Sequence, residues 1–338
     1  MILLYYLGVG KPLNGHDRRI LKEIGKVVIG FSLVGFLLAR IDAEKVFESV
    51  KDSNYIYILA GVAAFGLSKL FEGLRFYVLI YRYGFKVATA LKLLFISIFF
   101  NNLSSVVVGD GYRIVILKKR MQNWRTPFAL VLLERMAGLL VILLLGVAYI
   151  MVNYRNVCSF LLPIKFGTVD NLGLAISTAA FVSVGILILF RGRVRSAVLR
   201  LSDLIKEVKD ISSQLLVSGF LLVTFLTIIT HLLLALQIYI LVKSFTNELL
   251  FFDSVFVVFL VFVASYVPIS IGSLGVREGI VVFSLMFYGT SQTDAAAVAV
   301  LARIIIYLYA VAGGILFVLV RKGIGEDCSK GREYDVAT

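Results

Sequence analysis

The 338-residue chain is 60% hydrophobic, and its 34 Lys and Arg residues against 21 Asp and Glu give a net charge of +13. Soluble domains are about 45–50% apolar, so the composition indicates an integral membrane protein and excludes an ordinary soluble enzyme. The basic residues cluster in short loops beside apolar stretches, which indicates membrane topology and attraction to anionic lipid rather than nucleic-acid binding.

The apolar stretches define a single transmembrane domain at residues 24–322. Residues 1–23 lack the features of a cleavable signal peptide and are expected to be a cytoplasmic or interfacial segment, and residues 323–338 a short cytoplasmic tail. A membrane-spanning helix needs about 17–25 apolar residues, and six uninterrupted stretches meet this: 24–40, 55–80, 127–152, 171–190, 213–242 and 295–320. Two further apolar stretches, 88–112 and 252–290, contain helix breakers and charges.

The loops predict which side of the membrane each segment faces. Residues 113–125 and 191–209 are rich in Lys and Arg, so we place them in the cytoplasm together with both termini of a multi-pass cell-membrane protein. The stretches 88–112 and 252–290 must then each cross an even number of times. Each is predicted to be a re-entrant helical hairpin, the first entering from the cytoplasmic face and the second from the outer face. The alternative is eight simple spans.

The two interrupted stretches also resemble each other. "SVVVGDGYRIV" and "SIGSLGVREGIVV" are both glycine-rich and charged, and each precedes a long helix with a predicted N-cap, Thr126 or Asp294. Nine residues after each cap stands an arginine, Arg135 or Arg303, and Pro127 occupies the predicted first helical position. The pattern predicts an inverted repeat whose broken elements meet near the midplane. Backbone breaks are predicted at Gly109, Gly111, Pro268, Gly272 and Gly275.

Charged residues inside the apolar stretches are functional candidates, because each costs from about 2.5 to above 10 kcal/mol at mid-bilayer. Lys69, Glu72 and Arg75 fall on one face of the second span. Basic residues outnumber acidic ones, and the planar guanidinium group suits phosphate. We therefore predict that an anionic head group binds Arg113, Arg135, Arg277 and Arg303. The residues expected to orient or pair with these arginines are Asp110, Glu134, Glu278, Arg75, Glu72 and Tyr307. The alternative is that the charges only fix the bundle by pairing across helices, for example Glu134 with Arg113 or Arg75.

Other chemistry finds little support in the residues. Cys158 and Cys328 have no partner spacing for a disulfide or a metal site, and there is no ATP-binding motif. We predict no catalytic residue, no cofactor and no metal. His231 is expected to form a hydrogen bond between helices rather than relay protons, and Asn101 and Asn102 to cap a half-helix or line the cavity.

The motifs "GDGYR", "LLER", "PISIGSLGVRE" and "ARIIIY" resemble, in this order, the transmembrane region of lysylphosphatidylglycerol synthases, a superfamily of flippase-like membrane proteins. The likeness covers roughly residues 20–322. Carried over, the family's motifs fall on Gly109, Asp110, Arg113, Glu134, Arg135, Pro268, Gly272, Gly275, Glu278, Arg303 and Tyr307. Val108 and Ser273 stand where the family has glycines, which predicts a different head-group selectivity.

The resemblance implies lipid translocation or lipid binding. The full-length synthases continue into a soluble aminoacyl-transfer domain, and no such domain follows here before Thr338, so the resemblance argues against aminoacyl transfer. We expect a non-enzymatic, flippase-like protein that binds and translocates an anionic phospholipid head group.

Two other functions stay open. Some relatives occur beside or fused to glycosyltransferases that use polyprenyl-phosphate carriers. The second hypothesis is therefore a non-transporting partner that presents such a lipid to a glycosyltransferase. The third hypothesis is an enzyme in which Glu134 or Glu278 acts as acid or base on a lipid phosphate.

Overall fold

The computed structural model describes residues 43–103, 106–153, 217–245, 249–265 and 273–320. Within these ranges the chain is all-helical, as predicted, with no strand. A short 3-10 turn, Tyr81–Tyr83, separates the second helix from the third. The α-helices in chain order are α1 (Ala43–Asp52), α2 (Tyr55–Ile80), α3 (Val87–Leu103), α4 (Val106–Met121), α5 (Arg125–Val152), α6 (Val217–Lys243), α7 (Phe251–Ser265), α8 (Val276–Phe287) and α9 (Gln292–Val320).

Four of these helices, α2, α5, α6 and α9, are long and apolar enough to span a membrane. They are the spans predicted at 55–80, 127–152, 213–242 and 295–320. Large apolar side chains such as Leu140, Leu144 and Leu308 remain exposed along them, as expected where helices contact lipid tails. The predicted spans at 24–40 and 171–190 lie outside the described residues.

The two interrupted stretches form short helix pairs. We call α3–α4 the first hairpin and α7–α8 the second; in each, the two helices pack against each other. These helices have 17, 16, 15 and 12 residues. At 1.5 Å per residue they are roughly 18–26 Å long, which is shorter than the bilayer core of about 30 Å. The lengths favour hairpins over eight simple spans.

Both ends of each hairpin lie at one face of the molecule. At the end of α4, the guanidinium of Arg120 lies 5.0 Å from the ring of Phe85, which just precedes α3. In the second hairpin, the hydroxyl of Tyr149 in α5 donates to Asp253 at the start of α7 (2.5 Å) and lies 2.9 Å from the hydroxyl of Tyr288, just after α8. Each hairpin therefore enters and leaves on the same side.

The two hairpins enter from opposite faces, because their open ends lie at opposite ends of α5. That helix begins at Arg125, close behind α4, and reaches Tyr149 after 24 residues, about 36 Å along a helix. The helix α9 begins at Gln292, just past Tyr288, and so runs opposite to α5. The inverted arrangement is confirmed for the described residues, while the assignment of one face to the cytoplasm stays a prediction.

The first turns of α5 and α9 show how many residues separate equivalent positions of the repeat, and they correct the predicted caps. The side-chain oxygen of Asn123 accepts from the backbone N–H of Thr126 (2.9 Å), and the hydroxyl of Ser291 accepts from that of Asp294 (3.1 Å). Thr126 and Asp294 are therefore not the caps, because a capping acceptor must precede the free N–H groups of the first turn. Pro127 is likewise the third residue of α5 rather than the first. The true capping residues are 168 positions apart (291 − 123).

The helix packing shows the same inverted repeat, because equivalent helices make equivalent contacts in the two halves. The helix α2 packs on α3 as α6 packs on α7, and α3 packs on α9 as α7 packs on α5. The helices α2 and α6 make the most extensive contact of any helix pair in the described residues, and this contact joins the two halves. The fold thus places the two hairpin tips beside the middle of this central pair.

The glycines predicted to break the first hairpin do not do so. Gly109 and Gly111 both lie inside α4, and the helix change falls earlier, between Leu103 and Val106. Gly109 instead allows close packing on α3: its N–H donates to Asn101 Oδ1 (3.0 Å) and its carbonyl accepts from Ser97 Oγ (3.1 Å). In an apolar helix pair, a glycine that permits contact and a glycine that ends a helix look the same in sequence.

The second hairpin contains a true backbone break at Gly275. Its φ of 80° lies in the left-handed region that favours glycine, directly before α8. Ser273, two residues earlier, also has a positive φ, 55°, which explains why a glycine suits this position better. Pro268 and Gly272 lie outside the described residues.

Candidate functional site

A cavity of about 390 Å³, which we call the central cavity, lies between the tips of the two hairpins and the middle of α2, α5 and α6. A smaller cavity of about 60 Å³, the side cavity, adjoins it. Both are lined by Arg277. The wall residues Arg135 and Arg303 lie ten and eleven residues into α5 and α9, about 15–17 Å from opposite faces. Both cavities are therefore near the midplane.

In the first half of the molecule, one buried carboxylate holds two buried arginines. Glu134 in α5 accepts from Arg75 through Oε1 (3.0 Å) and from Arg113 through Oε2 (2.6 Å). Arg113 also donates to Ser97 Oγ (2.9 Å) and lies 4.9 Å from the ring of Phe76. The predicted pairing of Glu134 is confirmed, with both arginines at once. Removing Glu134 would take the nearest carboxylate away from two buried cations, which should be strongly destabilising.

A second ion pair ties the first hairpin to α5. Arg135 donates two hydrogen bonds to Asp110 (2.9 and 2.8 Å), and Arg113 lies 3.7 Å from the same carboxylate. The side chain of Arg135 is 33% exposed, which places it at the rim of the central cavity. Asp110 lies within α4, and its side chain lines the central cavity.

The predicted charged face of α2 also lines the central cavity. Lys69 Nζ lies 2.7 Å from Glu72 Oε2, and Arg75 lies 4.0 Å from the other oxygen of Glu72. Lys69 Nζ also lies over the ring of Phe65, 5.0 Å from the ring centre. This face supplies a cation at each end and a carboxylate between them.

The second half repeats the acid–arginine pair. Glu278 at the start of α8 binds Arg303, and its other oxygen accepts from the N–H of Gly275 (2.7 Å). Arg303 also donates to the carbonyl of Ser273 (3.4 Å) and lies 5.7 Å from the ring of Tyr307, so the predicted contact with Tyr307 is confirmed.

The two ion pairs occupy equivalent positions in the repeat. Glu278 is 168 positions after Asp110, and Arg303 is 168 positions after Arg135. This is the offset that relates the two helix caps. The pairs are therefore equivalent elements of the inverted repeat.

Arg277 differs from the other arginines. It is half-buried and forms no ion pair or hydrogen bond with the part of the chain that the structure describes. The neighbouring Glu278 binds Arg303 instead. Arg277 therefore presents a cation to both cavities.

Taken together, the described walls of the two cavities carry an excess of two positive charges. The six basic residues are Lys69, Arg75, Arg113, Arg135, Arg277 and Arg303, and the four acidic residues are Glu72, Asp110, Glu134 and Glu278. All four predicted arginines thus line the two cavities: Arg113, Arg135 and Arg277 the central cavity, and Arg277 and Arg303 the side cavity. Among the described residues no group of His, Cys, Asp and Glu could hold a metal.

Several polar residues complete the walls. His231 is buried, and its Nδ1 donates to the carbonyl of Thr227 (2.8 Å) in the same helix. Its Nε2 has no partner among the described residues, so the predicted bond between helices is not found there. Asn101 and Asn102 line the central cavity as predicted. Gln237 lines the side cavity, and its Nε2 has no partner in the described residues.

Sequence reasoning missed Ser97 and Gln237. The available signal was a polar side chain within an otherwise apolar stretch. Of the two departures from the family motif, Ser273 lines the central cavity, whereas the Val108 side chain is exposed and outside both described walls. Any effect on selectivity is therefore expected from Ser273.

The comparison with family models gives one match. The model of the lysylphosphatidylglycerol synthase TM region matches residues 24–314, which include both hairpins and every charged residue of the two cavities. No curated protein and no solved structure matches the chain.

Proposed function

Because the chain belongs to the lysylphosphatidylglycerol synthase transmembrane-region family, we propose that it binds the phosphate of an anionic lipid head group in the central cavity and moves it between the leaflets. The family and the apolar helices make it an integral membrane protein of the lipid-related, flippase-like kind. The binding of an anionic head group and its movement are our proposal.

The observation that carries the proposal is the positive excess at mid-depth, with Arg277 outside any ion pair of the described residues. An uncompensated cation is costly in a medium of low dielectric constant. A bound anion would offset this cost, and a phosphate matches the donors of a guanidinium. Arg277 is therefore the proposed direct ligand of the phosphate.

The inverted hairpins support a route for the head group. A site near the midplane, held between elements that enter from opposite faces, can open to either side when one half moves against the other. Arg135 lies at the exposed rim, so we propose that an entering phosphate first competes with Asp110 for this arginine. The acyl chains would stay in the lipid phase.

The carboxylates act as positioning groups in this proposal. Both oxygens of Glu134 accept from arginines, and both oxygens of Glu278 are used by Arg303 and Gly275. We therefore assign no catalytic residue, and we propose a binding and transport protein rather than an enzyme.

The test is lipid movement in vesicles reconstituted with the pure protein and fluorescent phosphatidylglycerol, followed by chemical quenching of the outer leaflet. Wild type should equilibrate the lipid faster than protein-free vesicles. Arg277→Gln should slow this by about tenfold or more, because a charge-assisted hydrogen bond contributes about 1.5–3 kcal/mol. Lys119→Gln, an exposed cation of the α4 end outside both cavities, is the matched control and should move lipid at the wild-type rate.

Equal rates for wild type, Arg277→Gln and protein-free vesicles would contradict transport. Phosphatidylglycerol binding without movement would instead favour the alternative role, a partner that presents a lipid phosphate to another membrane enzyme. Co-purification of a glycosyltransferase that uses a polyprenyl phosphate would give that role its partner.

A further inference from the structure

The two adjoining cavities point to a head group with two phosphate groups. We infer that the ligand is a lipid diphosphate, with one phosphate in the central cavity, the other in the side cavity, and Arg277 contacting both. This inference rests on the proposed function and names the substrate class of the same site.

The first support is the position of Arg277. It lies in the wall shared by the two cavities, whereas Arg113 and Arg135 line only the central cavity and Arg303 only the side cavity. An arginine with several N–H donors can bind two neighbouring phosphates at once. The arrangement therefore provides cations on both sides of a shared one.

The second support is the side cavity itself. Its volume is about 60 Å³, room for roughly two water molecules. Apart from Arg277, Glu278, Arg303 and Gln237, its walls are apolar. It thus suits a compact anion such as a phosphoryl group and excludes a sugar or a large polar head.

The third support is the unpartnered amide of Gln237. This residue is only 4% exposed, and its Nε2 has no hydrogen-bond partner in the described residues. Buried polar groups are rarely left unpaired in native proteins. Beside Arg277 and Arg303, Gln237 is a third residue with N–H donors in the wall of the side cavity, and we infer that a phosphate oxygen is the partner of its amide.

The fourth support is charge. Among the described residues, the walls of the two cavities carry two more positive than negative side chains. A phosphodiester head group has one negative charge and would leave half of this excess uncompensated. A diphosphate diester has two and would neutralise it.

The experiment compares two diester probes that differ by one phosphate, farnesyl methyl phosphate with one negative charge and farnesyl methyl diphosphate with two. Their binding to the full-length protein in detergent is measured by titration calorimetry. Wild type should bind the diphosphate at least about tenfold more tightly, as expected for added charge-assisted hydrogen bonds. Gln237→Leu should weaken diphosphate binding about tenfold and leave monophosphate binding unchanged. Gln237→Glu should weaken it further, because it adds a negative charge beside the second phosphate.

Lys119→Gln should retain the wild-type preference, and unfolding temperatures would confirm that each Gln237 variant is folded. Equal affinity of wild type for both probes, or an unchanged preference in both Gln237 variants, would overturn this inference while leaving the proposed function intact. Failure to bind either probe would contradict the proposed function itself. Inorganic diphosphate that binds as tightly as farnesyl methyl diphosphate would overturn the lipid assignment in favour of a soluble anion.

Discussion

The two hairpins share one scaffold and use their charges differently. Each joins an acidic residue to an arginine of the following long helix at the same register, Asp110 with Arg135 and Glu278 with Arg303. Around the first pair, Glu134 and Arg113 build a buried ionic network. At the same 168-residue offset the second half has Ala302 and Val281, and it has Arg277 where the first half has Gly109.

This difference separates charges that stabilise the fold from a charge that is available to a ligand. In the first half, each arginine of the central cavity is bound to a carboxylate. In the second half, Arg277 faces both cavities without such a partner among the described residues. Substitutions in the buried network of Glu134, Arg75 and Arg113 should therefore mainly affect stability, and substitutions of Arg277 mainly binding.

The largest expected effect is that of Glu134→Gln. It leaves Arg75 and Arg113 without their shared carboxylate, which should lower the free energy of unfolding by about 3–5 kcal/mol. Denaturant unfolding in detergent measures this. Arg277→Gln is the comparison in the other half and should not lower the free energy of unfolding, because it removes a cation that has no carboxylate partner among the described residues. A similar loss in both variants would remove the distinction between the two halves.

A smaller effect is expected at the contact inside the first hairpin. In Gly109→Ala, the new Cβ would lie 2.4 Å from the Ser97 carbonyl oxygen and 2.3 Å from Asn101 Oδ1, so the hairpin must shift at a cost of about 1–3 kcal/mol. Gly111→Ala, in the same helix with no atom within 4 Å, is the matched control and should stabilise by about 0.5–1 kcal/mol. Thermal unfolding of both variants should therefore show shifts of opposite sign.

The smallest effect is expected at the tip of the second hairpin. Ser273 has a left-handed backbone conformation, which costs a non-glycine residue about 1–2 kcal/mol. Ser273→Gly should raise the unfolding temperature slightly, because glycine relieves this strain but gains freedom in the unfolded chain. A lower unfolding temperature would show that the Ser273 side chain contributes more than its backbone costs.

The sequence was sufficient for the features that depend on charge and length. The basic cluster at 113–125 and the even number of crossings predicted both hairpins and their opposite entry, and excess positive charge predicted the grouping of Arg113, Arg135, Arg277 and Arg303. The repeat was visible because acid, arginine and cap recur at constant spacing.

The remaining features depend on local contacts that composition does not specify. Gly109 has the same appearance as a helix breaker, and only the approach of α3 shows that it serves packing. The capping side chains are Asn123 and Ser291 because the helices begin two or three residues earlier than the apolar pattern suggests. His231 satisfies its own helix rather than a neighbour.

The most direct test of the central claim is the sidedness of the two hairpin entrances. In a background with Cys158→Ser and Cys328→Ser, Lys119→Cys at the end of α4 and Ser291→Cys before α9 would each be treated with a membrane-impermeant maleimide in sealed vesicles of known orientation. Both positions are exposed. The account predicts that the reagent labels them from opposite sides of the membrane. Labelling of both from the same side would contradict the inverted hairpins and the midplane site between them.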